Sequence, residues 1–204
     1  MHEEVVPAGG AWGEFASGGT LFIMGETVEI VPYDAAWSAM FATWGTGLRA
    51  ALGDTALRID HIGSTSVPGL AAKPVIDIQI SVASLDPPDA FLGPLTDMGL
   101  VYRADNPERT KRYFREPPGQ RRTHVHVRQL GSFSQQFPLL FRDYLRCQAS
   151  VAEGYAAAKR RCAAKYRNDR PAYVQAKDAV VWDIIRRADA WAQRTGWVPG
   201  PGDA

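Results

Sequence analysis

The sequence predicts an α/β (α+β) protein in which a mixed β-sheet is flanked by helices and followed by a C-terminal helical bundle. Three observations carry that prediction. Residues 75–82 alternate, with Ile76, Ile78, Ile80 and Val82 on one face and Asp77, Gln79 and Ser81 on the other, the period of a strand with one packed and one polar face. Apolar residues recur every three or four positions after Asp34 and again beyond Pro138. Short strand-like runs separated by Gly and Pro lie between these stretches, so strands come first and a helical region follows.

In chain order, residues 1–23 are rich in Gly and Ala and show neither period, and we read residues 1–26 as a disordered tail. Patterned sequence starts at Val28, shortly after Met24, which raises Met24 as an alternative start. Asp34 is placed to cap a helix whose apolar face holds Trp37, Met40, Phe41, Trp44, Leu48 and Leu52. A strand over 57–62 runs into a Gly63-Ser64 turn, and Pro68-Gly69 marks a second loop before the 75–82 strand. A short helix from Asp86-Pro87-Pro88 through Phe91, Leu92, Leu95 and Met98 should stop at Gly99. Strands follow over 100–103, 111–115 and 123–129, the last two joined through Pro117-Pro118-Gly119. In the last, Thr123, Val125 and Val127 face one way, and Arg122, His124, His126 and Arg128 the other. Helices are expected over 139–147, 151–166 and 171–195, with Pro171 in a first turn and the end after Gly196 frayed. These elements divide into the tail, an α/β domain over 27–132 and a helical region over 133–198 packed on it.

Composition narrows the function classes. The chain of 204 residues is long enough to bury a core without crosslinks, and Cys147 and Cys162 stand in no zinc or disulfide spacing. Lys and Arg number 23 against 22 Asp and Glu, a balance that does not point to nucleic acid as a partner. One basic stretch from Arg103 to Arg128 reads either as a solvated hairpin or as part of an anion site. No apolar run approaches the roughly 20 residues of a membrane span, and the acidic N-terminus is unlike a signal peptide. We therefore expect a cytoplasmic protein with no membrane partner.

The chemistry concentrates at the Gly-Ser turn and the strand after it. Gly63 can adopt dihedrals closed to other residues and admit a phosphate, and the hydroxyls of Ser64, Thr65 and Ser66 can donate to its oxygens. Asp77 can hold a divalent metal against the same phosphate. His124 and His126, two apart on one strand face, can complete a mixed site with Asp77, with His61 as a further candidate. The bland alternatives are a serine-rich turn, a solvated acid and structural histidines. Tyr155 with Lys159, and Tyr173 with Lys177, lie four apart on or beside apolar helix faces, where the lysines either snorkel outward or point at bound phosphates. Arg142 and Arg146, beside Asp143, fit an ordinary salt-bridge network equally well.

The run His61-Ile62-Gly63-Ser64-Thr65-Ser66-Val67-Pro68-Gly69, followed by Ala72-Lys73-Pro74-Val75-Ile76-Asp77-Ile78, resembles the signature of the GrpB family, itself similar to the nucleotidyltransferase superfamily. The likeness extends over roughly residues 28–190 through Thr123–Val127, Phe141–Arg146, Tyr155 with Lys159, and Tyr173 with Lys177. It implies a nucleotidyltransferase-like sheet. It also implies a pattern of Gly-Ser, a gap of about a dozen residues, Asp-x-Asp or Asp-x-Glu, and a third carboxylate on a later strand. Gly63, Ser64 and Asp77 match that pattern. Gln79 stands in place of the second carboxylate, and His124 or His126 where the third would be.

The expected function is that of a nucleotidyltransferase-like protein, a metal-dependent transferase if it is an enzyme, whose partner is a nucleotide or phosphorylated small molecule. Asp77 and Ser64 are the expected catalytic residues. Gly63, Ser64, Thr65, Ser66, Lys73, Arg112 and Lys159 are expected to bind phosphate, and Asp77, His124 and His126 a divalent metal, Mg or Mn, with Zn as another option. The alternatives are a catalytically lapsed nucleotide-binding module and a histidine-metal hydrolase. Relatives fused to dephospho-CoA kinase would suit an accessory role, and this chain has no G-x-x-x-x-G-K-[ST] loop of its own.

Overall fold

A computed structural model describes residues 27–204, so the expected tail and the Met24 start lie outside the described residues. The first helix, α1, spans Ala36–Leu52. The Asp34 carboxylate accepts a hydrogen bond from the Ala36 amide at 2.9 Å, capping the helix as its sequence position implied. The strands are β1 (Arg58–Ile62), β2 (Ile76–Val82), β3 (Val101–Tyr102), β4 (Arg112–Arg115) and β5 (Thr123–Gln129). Between β2 and β3 lies α2, Asp89–Asp97, which ends before Gly99 in a left-handed conformation.

The sheet order is β1-β2-β5-β4-β3, and only the central β2·β5 pair is parallel. That pair forces a long connection, since parallel neighbours cannot be joined by a tight turn. The connection contains α2 and the β3–β4 edge. The apolar faces of β1, β2, β4 and β5 pack on α1 and α2, with Ile59, Ile78, Ile80, Phe114, Val125 and Val127 buried in one core with Trp37, Leu48, Phe91 and Leu95. This is the main core, and the alternation in 75–82 located one side of it.

The opposite, polar face is not left to water. Three helices, α3 (Phe133–Cys147), α4 (Ala149–Lys165) and α5 (Arg170–Thr195), build a second core that includes Tyr144, Leu145, Tyr155, Ile184, Ile185 and Ala188. They lie across that face, and Val67, Leu70 and Ala71 of the loop before β2 join their core. The start of α3 is six residues earlier than the sequence reading placed it. Ser132 caps it by accepting from the Gln135 amide, and Pro138 is carried inside the helix, where the reading took it as a boundary.

The chain end corrects a second expectation. After Gly196 it is not frayed but folded back along the free edge of β1. The Asp203 and Ala204 amides donate to the Ile59 carbonyl at 2.9 and 3.1 Å, and the Asp203 carboxylate accepts from the His61 amide at 2.9 Å. These bonds satisfy an edge that would otherwise present unpaired backbone groups. Trp197 adds a bond from its indole nitrogen to Asp143 at 3.1 Å. A Gly/Pro composition signals a lack of regular structure, not a lack of partners.

Asp203 also accepts from Arg142 Nη1 at 2.7 Å, and Arg142 is nearly inaccessible to solvent. The same guanidinium donates to Asp143 and to the His61 carbonyl and lies 3.7 Å from the fully buried Asp60, which Arg58 holds in a two-pronged pair. Arg142 therefore belongs to a structural network. Asp203→Ala should lower unfolding free energy by about 1–2 kcal/mol, the scale of one charged hydrogen bond at a partly exposed site, as measured by urea denaturation. An unchanged midpoint would show that the terminal segment does not hold this edge.

Candidate functional site

The site follows from strand register. Across the parallel pair, Asp77 sits beside His124 and Gln79 beside His126, so all four side chains project from the polar face. His124 Nδ1 is 3.0 Å from Asp77 Oδ1, and His126 Nε2 is 3.6 Å from the same oxygen. The three residues offer ligand atoms that all lie within 4.8 Å of one another. Burial opposes the charge on Asp77, but hydrogen bonds and attraction from His124 and His126 outweigh it and hold the carboxyl well below the usual range. Burial pushes His126 down to about 4 against the pull of Asp77, so the ring is neutral near pH 7. Its Nδ1 is buried without a hydrogen-bond partner among the described residues.

His61 does not join this group. It pairs with Ile78, one residue out of phase with Asp77, and so points to the opposite face of the sheet. There it stacks on Phe41 at 4.8 Å and meets the Thr65 hydroxyl at 3.0 Å. Burial pushes its pKa down to about 4. It is the structural histidine of the set.

The Gly63 turn approaches the same carboxylate from the side. Gly63 has φ +72, and a Cβ placed there would lie 2.6 Å from Asp77 Oδ2. The glycine is thus required by the acid itself, a constraint distinct from room for a phosphate. The three hydroxyls after it have different fates. Thr65 donates to the Val75 carbonyl and Ser66 to the Gly63 carbonyl, so both serve to shape the turn. Ser64 alone faces the helices, accepting from Lys159 Nζ at 2.9 Å.

These groups line one cleft of about 350 Å³ between the sheet and the C-terminal helices. Its walls include Gly63, Ser64, Asp77, His124 and His126 from the sheet side. Phe137, Phe141, Tyr155, Lys159, Tyr173 and Lys177 close it from the helices, and Lys73, Arg128 and Arg170 also line it. Lys159 is 2% exposed, with its ammonium 4.5 Å from the Tyr155 ring centre. It does not snorkel. Burial, aided by Lys177, Arg160 and Lys73, pushes its pKa down to about 7, and burial with Arg170 and Lys177 pushes Lys73 to about 8. Burial likewise pushes the Tyr173 hydroxyl up to about 12.

Two sequence expectations land elsewhere. Arg112 is on the opposite face of its strand and pairs with both oxygens of Asp86, away from the cleft. Gln79 shares a face with Asp77 but lies sealed beneath α3, its amide donating to the Gln135 carbonyl at 3.0 Å and its oxygen accepting from Arg128 at 2.8 Å. With both ends of its amide engaged, Gln79 is a strut between β5 and α3. The basic stretch over 103–128 is largely paired within itself, as Arg103–Asp105, Lys111–Glu108 and Arg115–Glu116 show. The sequence reading passed over the aromatic wall; the spacing of Phe133, Phe137 and Phe141, each one helical turn apart, was the signal that could have found it.

The five-stranded mixed sheet, the Gly-Ser turn and the helices closing over them define a mixed α/β protein. The model of the GrpB protein family matches residues 27–187, and the chain belongs to that family. A conserved GrpB protein from Enterococcus faecalis superposes with a TM-score of 0.73 at 31% identity, covering 80% of this chain and 99% of that one. A UPF0157 protein of Pseudomonas aeruginosa is 40% identical over 80% of this chain and 68% of its own length. A dephospho-CoA kinase of Mycolicibacterium paratuberculosis is 38% identical over 84% of this chain, which spans 48% of the kinase. No helix among the described residues is long and apolar enough to cross a membrane.

Gly63→Ala tests the geometry directly. The methyl group must displace the Asp77 carboxylate, and the backbone at φ +72 and ψ −173, a region essentially restricted to glycine, adds about 1–3 kcal/mol of strain. The variant should lose about 1–3 kcal/mol of stability, and the ring resonances of His124 should shift as its carboxylate partner moves. A variant as stable as the wild type with unshifted histidine resonances would mean that the turn and the acid are not in contact.

Proposed function

We propose that this protein binds a nucleotide or related phosphorylated small molecule in the cleft, with a divalent metal held by Asp77, His124 and His126. The observation that carries the reading is Lys159. Its ammonium is buried, the positive charges of Lys177, Arg160 and Lys73 act against it, and it meets a neutral hydroxyl and a ring face. Burying a charge this way is unfavourable unless an anion completes the site. Three lysines, Lys73, Lys159 and Lys177, line the cleft together with Arg128, against one carboxylate, Asp77. A polyphosphate is the anion that such a balance favours.

The donor set fits a single cation. One carboxylate oxygen and two imidazole nitrogens on one side of the cleft leave the other side open to a ligand, and His126 is already in the neutral form that ligation needs. Such an ion would screen and orient phosphate oxygens. Two ions bridged by carboxylates do not fit, because Gln79 is neutral and committed to Arg128 and Gln135. Phosphate would rest against Ser64 and the Gly63 turn, with Lys159 and Lys73 neutralising its charge. Thr65 and Ser66 would support the turn from behind.

The fate of Gln79 also favours a second reading, a nucleotide-binding accessory module with no transfer activity. The match to part of a dephospho-CoA kinase suits that role. Titrating Mg-nucleoside triphosphates calorimetrically while following nucleotide turnover separates the two. Binding with turnover supports a transferase and binding without it the module, while absence of any binding would sink both.

Two predictions follow from the lysines. Lys159→Met should leave unfolding free energy unchanged or raised, since a buried ammonium is removed, yet weaken triphosphate binding by about tenfold or more, the worth of one charged hydrogen bond. Equal affinity in the variant would remove Lys159 from the site.

The second uses pH. A lysine whose folded pKa is depressed binds fewer protons folded than unfolded between that value and its ordinary one, so stability of the ligand-free protein should rise from pH 7 to pH 9. Ligand affinity should move oppositely. The protonated forms that attract phosphate are full below about 7 for Lys159 and about 8 for Lys73 and drain away above. Calorimetry at pH 8 in buffers of different ionisation enthalpy should register proton uptake on binding. Zero net uptake would contradict the assignment.

A further inference from the structure

The cleft does not end at its phosphate-sized pocket. Along α3, Phe141, Phe137 and Phe133 stand one turn apart in a single row. Phe141 faces the cleft, Phe137 borders both the cleft and a neighbouring groove, and Phe133 borders only the groove. The groove, about 750 Å³, is lined also by Trp182 of α5 and shares Arg128, Phe137 and Pro138 with the cleft. Phe133 and Phe137 have ring centres 5.8 Å apart, and Phe137 and Trp182 5.7 Å apart. Phe133 is 75% exposed and Trp182 52% exposed. Two large rings left in water beside a cationic cleft are not core residues, and both line the groove.

We propose that this groove is the subsite for the heteroaromatic ring of the ligand whose phosphates occupy the cleft. The proposal rests on the reading given above and narrows it from any phosphorylated small molecule to a nucleotide. Continuity is the argument for this occupant: one row of aromatic side chains leads from the Ser64–Lys159 contact into the groove, with Arg128 at the junction, so a molecule anionic at one end and aromatic at the other fits both halves at once. Stacking on Phe133 and Trp182 would contribute a ring-dependent increment of affinity that a bare polyphosphate cannot gain. Glu108, Arg109 and Thr110 also line the groove and would offer polar groups to the edge of a base.

The test compares ligands with and without a base. ATP, GTP, CTP and UTP, each titrated singly with magnesium, and magnesium tripolyphosphate are measured by calorimetry on the wild type, Phe133→Ala and Trp182→Ala. Both rings are largely exposed, so the variants should keep the fold, which circular dichroism checks. At least one nucleotide should bind the wild type about tenfold tighter than tripolyphosphate. Each variant should weaken that nucleotide by about fivefold or more and leave tripolyphosphate unchanged. If all four nucleotides bind no tighter than tripolyphosphate, or if the variants spare nucleotide affinity, the subsite is overturned while the phosphate site stands. If Phe133→Ala instead turns a dimer into a monomer at constant nucleotide affinity, the groove is a self-association surface and the subsite is likewise overturned. Absence of binding by every anion overturns both this inference and the reading beneath it.

Discussion

The parallel pairing of β2 on β5 is the constraint from which the rest of the site follows. In a parallel ladder, residues level with one another share a face, so a single register places Asp77 beside His124 and Gln79 beside His126. A slip of one residue would turn Asp77 into the apolar core formed with α1 and α2 and bring Ile78 to the cleft. The apolar alternation of Ile76, Ile78, Ile80 and Val82 forbids that slip, since each is almost wholly buried. The hydrophobic face thereby aligns the chemistry of the polar one. Gly63 then locks the arrangement from the side, because any larger residue would collide with the Asp77 carboxylate.

A polar sheet face covered by helices requires that each buried polar group find a partner. The structure answers by dividing that face into two zones. Toward β1 and the far ends of β2 and β5, Asp60 with Arg58 and Arg142, and Gln79 with Arg128 and Gln135, are joined into polar networks, with Arg128 Nε left without a partner among the described residues. Around Asp77 the networks stop and the cleft opens, with the Lys159–Ser64 contact and the His124–Asp77 pair both on its walls. The same residue types therefore serve opposite ends a few residues apart. What separates a strut from a site is whether its hydrogen-bonding capacity is used up, and Gln79 and Asp77, neighbours on one strand face, illustrate the difference.

The terminal segment belongs to this economy of partners. By covering the edge of β1 and lending Asp203 to Arg142, residues after Gly196 close the structural zone from outside. Arg142, on the helix that also carries Phe133, Phe137 and Phe141, is thus tied to β1, and α3 is anchored at both ends, by Gln135 to Gln79 and by Arg142 to Asp60 and Asp203. The aromatic row is held over the cleft by polar contacts at either side of it.

Local pattern was enough to read the strands, most helix limits, the Asp34 cap, the Gly99 stop and the grouping of Asp77 with His124 and His126, because each depends on periods of two or 3.6 residues or on a cap's own chemistry. It failed where the answer depended on what lies opposite. His61 has the residue type of a ligand but the phase of a core position, which only pairing with Ile78 reveals. Arg112 lies in a basic stretch, yet Asp86, 26 positions away, claims it. Lys159 could have snorkelled from its helix by composition alone, and only the docking of α4 over the Gly-Ser turn sends its ammonium to Ser64, 95 positions distant. Sequence by itself determined the elements and which face of each is apolar, since those are set by neighbours along the chain. Tertiary structure decided which polar residues remain available, because hydrogen-bond capacity is consumed by partners remote in sequence.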